Sequence, residues 1–189
     1  MGPRRDLSEP ADRWCGLETA ATAMPRPESE PLTANDLAWA RMDVPGQPMV
    51  VTVVLLLDRP LTLERLRAIL RDRLLPLARF RQRVARTGSR YRWLEDRPLD
   101  WNAHVERVRL PEPVDQRTLE EQVGRWAGEP LDFGRPPWRC YWVENYGAGC
   151  ALVFRVHHCI ADGVALLRVF LMLTARTADA GPAPPDERR

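Results

Sequence analysis

Ala151-Leu152-Val153-Phe154-Arg155-Val156-His157-His158-Cys159-Ile160-Ala161-Asp162-Gly163 changes character half-way along. Its first six residues are mostly apolar, with β-branched and aromatic members, as in a buried strand. Val164 to Ala175, which follows, carries the apolar pattern of a helix. At the switch from strand to helix stand two of the chain's three histidines, side by side, with Asp-Gly at a fixed offset. Imidazole is the side chain whose ordinary pKa lies near neutrality, so such a turn is a suitable place for a general base. Adjacent residues of an extended chain point to opposite sides. One of His157 and His158 is therefore expected to face the interior and the other a cleft. Asp162 falls at the first helical turn, where the helix N-terminus favours a carboxylate; it is expected to cap the helix or pair with an Arg. Gly163 removes side-chain bulk, which suits a tight turn or the close approach of a ligand.

Working outward, Trp138 to Glu144 and Cys150 to Val156 read as a hairpin around Asn145 to Gly149. Thr118-Leu119-Glu120-Glu121 has the form of a capping box with Thr118 at the N-cap, opening a helix that Gly128 and Pro130 close. Val105 to Leu110 alternates, and Phe80–Val84 and Arg90–Leu94 read as a strand pair around Gly88-Ser89. Leu61 to Leu75 is an amphipathic helix with Thr62 as N-cap, Met49 to Leu57 a buried strand, and Thr33 to Met42 a short helix. The expectation is an α+β domain over residues 29–176, a mixed sheet with helices packed on it. Residues 1–28 and 177–189, rich in Pro, Ala and charge, read as disordered tails.

Composition removes several functions. A length of 189 residues suffices for one domain with a sizeable core. A net charge of +2 gives no case for a nucleic-acid partner. All 28 basic residues are Arg, which excludes Schiff-base and P-loop lysine chemistry. Cys15, Cys140, Cys150 and Cys159 lack C-x-x-C spacing, and the N-terminus lacks the apolar core of a secretory signal, so reduced cytoplasmic thiols are expected. Met49 to Leu57, the longest apolar run, is too short to span a bilayer, leaving at most a peripheral association with membrane. His157, His158 and Asp162 are too few ligands for a metal, and His104 is remote in sequence, so no metal is expected. Cys159, at an apolar strand end, reads as an inert thiol rather than a nucleophile.

His157-His158-x-x-x-Asp162-Gly163 resembles the HHxxxDG motif of the acyl-CoA-dependent acyltransferase superfamily. That superfamily includes chloramphenicol acetyltransferase, the condensation domains of peptide synthetases and the bacterial wax ester synthase/diacylglycerol acyltransferases. Pro31-Leu32-Thr33-Ala34-Asn35-Asp36 followed by Pro48-Met49 resembles the N-terminal signature of the last branch. Pro130-Leu131-Asp132-Phe133-Gly134-Arg135-Pro136-Pro137-Trp138 resembles its PL…PLW segment, with Pro137 where Leu is usual.

The resemblance implies one chloramphenicol-acetyltransferase-like half domain. It implies that His158 is the general base, that Asp162 is architectural, and that His157 and Gly163 shape the turn and the substrate approach. The implied reaction moves a fatty acyl group from acyl-CoA, a co-substrate rather than a cofactor, to diacylglycerol or a long-chain alcohol. Enzymes of this branch are about twice as long, with the tunnel between two similar halves. This chain matches the first half only. The rest of a site would come from a homo-oligomer or a separately encoded C-terminal half, with peripheral association at the inner membrane or lipid droplets. The alternative is an inactive truncated relative that serves as a lipid-associated or partner-binding module.

Overall fold

A computed structural model describes residues 29–44, 46–96 and 98–174. The tails expected at 1–28 and 177–189 lie outside the described residues. In chain order the elements are β1 (Ser29–Pro31), α1 (Ala34–Met42), β2 (Val50–Leu57), α2 (Leu63–Ile69), β3 (Gln82–Thr87), β4 (Arg90–Glu95), α3 (Trp101–His104), β5 (Val105–Val108), α4 (Gln116–Ala127), β6 (Trp138–Val143), β7 (Cys150–His157) and α5 (Gly163–Thr174). They form a three-stranded sheet, β1-β4-β3, and a four-stranded sheet, β2-β7-β6-β5. Only the β5–β6 pair is parallel, and α4 makes the crossover that such a pair requires. The architecture is the mixed-sheet α+β arrangement that the residue pattern predicts.

All eight residues of β7 are buried, because it is an inner strand with both faces covered. On one face Leu152, Phe154 and Val156 pack with Leu66 and Leu70 below and Leu166, Val169 and Phe170 of α5. On the other, Ala151 and Val153 pack with Tyr141 and with Leu119 and Trp126 of α4. Trp126 stacks flat on Tyr141, centroids 4.0 Å apart. Each large apolar side chain buried in this way contributes about 1.5–3 kcal/mol of hydrophobic stabilisation. At the hairpin end of β7, a Cβ on Gly149 would run into the Leu57 carbonyl, so only glycine fits there.

Three expectations change. Met49 to Leu57 forms a strand, but β2 lies at the sheet edge rather than in the interior. Its alternate residues Val54 and Leu56 are 39% and 58% exposed, because α4 covers β6 and β7 but stops short of β2. The capping box at Thr118 is displaced: α4 starts earlier, at Gln116. Asp115 is the N-cap, its carboxylate accepting the Thr118 amide at 2.8 Å. The helix over Leu61 to Leu75 keeps its Thr62 cap, but its last turn, Leu70–Leu74, winds wider as a π-turn that buries Leu70 and Leu74.

Candidate active site

The ladder between β2 and β7 runs in full register and ends at the pair Val50 and His157. Beyond it, the His158 amide donates to the Met49 carbonyl at 2.9 Å, and the Ile160 amide donates back to the His157 carbonyl at 3.0 Å, closing the turn. On its other edge the His157 amide donates to the Pro137 carbonyl at 3.0 Å. That contact tolerates a proline: the position has to accept a hydrogen bond, and a Pro carbonyl does so as well as any other. Its missing N–H leaves the His157 carbonyl for Ile160.

The two imidazoles divide between the sides of the strand, as alternation requires. His157 is fully buried. Its Nδ1 accepts the Cys159 amide at 3.1 Å, which puts the ring proton on Nε2. That nitrogen faces the Asp43 carboxylate at 3.8 Å, and the Phe133 ring meets the imidazole edge-on at 4.7 Å. Burial pulls the His157 pKa down to about 4, against the opposing pull of the Asp43 charge. His157 is thus neutral at pH 7 and fixed in one tautomer.

His158 is half-buried and stacks on the Trp39 indole, centroids 4.6 Å apart and planes inclined by 20°. Its Nδ1 is shut away without a hydrogen-bond partner among the described residues. Nε2 is left as the nitrogen open to an incoming group. Asp162 caps α5: its Oδ1 accepts the Ala165 amide at 2.8 Å and its carbonyl accepts the Leu166 amide at 2.9 Å. Of the two roles open to it, the structure selects the cap. Gly163 has no positive φ, and a Cβ there would meet nothing within 4 Å. The turn does not require a glycine; the space beside it is open. Cys159 is buried and its thiol is pushed far up by burial, in keeping with an inert sulfur.

The other signature segments converge here. Asp36 completes a capping box with Thr33 and also accepts the Trp93 indole N–H at 3.2 Å, so it anchors α1 rather than the turn. Trp138 starts β6 and donates its indole N–H to the Phe80 carbonyl at 2.8 Å. His104, the remote histidine, is buried against Trp138, its Nδ1 2.9 Å from the Trp138 carbonyl. It belongs to the core, and its pKa falls to about 4 through burial. Trp39, Asp43 and Phe133 all touch the histidine pair. Phe133 lies inside the signature segment 130–138, and Trp39 and Asp43 lie between the two N-terminal signature pieces, but no pattern at these three positions marks them for contact with the histidines.

The wax ester synthase/diacylglycerol acyltransferase catalytic domain matches residues 32–189. The chain belongs to this family. A Mycobacterium tuberculosis relative, named as a probable diacylglycerol O-acyltransferase, is 33% identical over 162 residues, covering 82% of this chain and 60% of the relative. A second relative from that organism, of the same nominal activity, is 34% identical over 166 residues and is covered to 33% of its length. Among solved structures, the wax ester synthase/diacylglycerol acyltransferase of Marinobacter aquaeolei superposes with a TM-score of 0.67 at 26% identity, over 82% of this chain and 39% of that one. The starter condensation domain of rhizomide synthetase shares the fold, with a TM-score of 0.66 at 13% identity over 84% of this chain and 40% of that one. The chloramphenicol-acetyltransferase-like half domain is thereby established. The chain spans 60% or less of the length of each of these relatives.

Proposed function

We propose that this chain is one half of an acyl-CoA-dependent O-acyltransferase that esterifies diacylglycerol or a long-chain alcohol, and that His158 is its base. The observation that carries the reading is the contrast at the turn: His157 is buried, neutral and tied through Nδ1, while His158 is half-buried with Nε2 open. In the reaction, His158 Nε2 takes the proton of the acceptor hydroxyl. The hydroxyl oxygen attacks the thioester carbonyl carbon, the C–S bond breaks, and the CoA thiolate leaves with the proton that His158 returns. The acyl thioester is a co-substrate, and no cofactor enters. His157 and Asp162 hold the turn, and Gly163 keeps the approach clear.

The outward side of α5 supports a partner. Val164, Leu167 and Leu171 are 64%, 60% and 58% exposed and form one stripe that starts at the turn. A second copy of the chain, or a separately encoded second half, could seat on this stripe, which begins next to the histidine turn. No helix among the described residues is long and apolar enough to cross a membrane. The same stripe supports peripheral association with membrane or lipid droplets, and also the second reading, a partner- or lipid-binding module without turnover. The deciding experiment is acyl-CoA turnover with diacylglycerol or hexadecanol, for wild type and His158→Ala, alongside the solution mass. Turnover that survives the substitution removes His158 from its role. A strict monomer without turnover favours the binding module.

A further inference from the structure

Asp43 is the unexplained charge of this region. It follows α1 as its C-cap, and its side chain is only 7% exposed. The chain carries 28 arginines, yet none among the described residues pairs with this carboxylate. A carboxylate removed from water without a cation is costly unless hydrogen bonds and dipoles replace its hydration. What it has instead is the histidine turn. Oδ1 accepts the Met49 amide at 2.8 Å and faces His157 Nε2 at 3.8 Å.

These two contacts reach His158 from both sides. The Met49 residue that Asp43 holds by its amide holds the His158 amide by its carbonyl. The His157 ring that Asp43 faces accepts the Cys159 amide, on the far side of His158, through its other nitrogen. Meanwhile α1, which ends at Asp43, carries Trp39 one turn back, and Trp39 stacks on the His158 ring. We infer that Asp43 is a positioning residue for His158: one carboxylate oxygen holds the Met49 peptide that holds His158 and sets its charge against the His157 ring that holds the Cys159 amide, while the helix it terminates supplies the ring that sets the imidazole plane. The inference rests on the reading of His158 as the base, but its test does not.

The chain has only three histidines, so each imidazole can be followed by NMR in the intact protein. The His158 ring protons lie over an indole and are displaced by its ring current; Trp39→Leu gives their undisplaced position. Asp43→Ala is expected to move the His158 signals toward that position while His104, held by Trp138, stays in place. Asp43→Asn keeps an oxygen for the Met49 amide and guards against an Ala variant that does not fold. It is expected to leave the His158 signals where they are and to lower the His157 titration midpoint, since only the charge is lost. In the turnover assay Asp43→Ala should lower kcat about 100-fold with KM little changed, and Asp43→Asn should retain most activity. His158 signals unmoved in Asp43→Ala, or all three histidines moving together, overturn the inference. So does a His157 midpoint unmoved in Asp43→Asn. Turnover that survives His158→Ala would instead defeat the base assignment and leave these shifts standing.

Discussion

The inner and outer sides of the histidine turn are built from adjacent residues and solve different problems. On the inner side His157, Cys159, Phe133 and Asp43 are packed, and His157 commits Nδ1 to the Cys159 amide while Nε2 lies buried facing Asp43. On the outer side His158 rests on Trp39 with Nδ1 shut away and Nε2 open, and Asp162 and Gly163 are exposed. A base has to be held still and left accessible at once. On the proposed reading, the chain meets these demands with two neighbouring imidazoles, one for rigidity and one for chemistry.

Substitution should separate the two sides. The largest effect belongs to the outer one: His158→Ala should cost 10²–10⁴-fold in turnover, the usual share of a general base, with thermal stability little changed. His157→Ala should do the reverse, lowering stability by about 3 kcal/mol in denaturant unfolding. It opens a cavity and leaves the Cys159 amide without its acceptor. A His157→Ala protein as stable as wild type would deny the inner side its structural role.

Acid should also act on the inner side. His157 and His104 have pKa values lowered to about 4 in the folded chain, against 6.5 when unfolded. The unfolded state therefore binds more protons between pH 6.5 and 4. Stability falls as pH drops through that window, by up to about 1.4 kcal/mol per pH unit for each histidine. Urea midpoints at pH 7, 5.5 and 4.5 measure this, and replacing His104 with a neutral residue that keeps the fold should remove half of the slope. Asp162→Ala should cost about 1 kcal/mol, the loss of one helix cap. Gly163→Ala should change stability by no more than about 0.5 kcal/mol, since its φ is ordinary and the space open. A loss of turnover in that stable variant would mark the gap as a substrate path.

Much of this turn was legible in the residues. The apolar run to Val156, the paired histidines and Asp-Gly before an apolar helix specify strand, turn and cap through short-range rules, and the structure has all three. The misreadings come from places where such rules compete. Thr118 with Glu121 makes a plausible capping box, but Asp115, three residues earlier, caps better, because its carboxylate reaches the Thr118 amide and adds a turn to α4. β2 looks like a buried strand because its apolar run is continuous, yet its position at the sheet edge exposes alternate residues.

By itself the sequence determined the elements of the α+β half domain and the motif at its strand-to-helix turn, because alternation, capping and glycine placement act within a few residues. Tertiary structure alone decided which histidine is buried, which strand lies at the edge, and that Trp39, Asp43 and Phe133 meet at a turn more than twenty residues from any of them. Strand order and long-range docking depend on which faces find cover once the whole chain has packed. That information belongs to no local stretch.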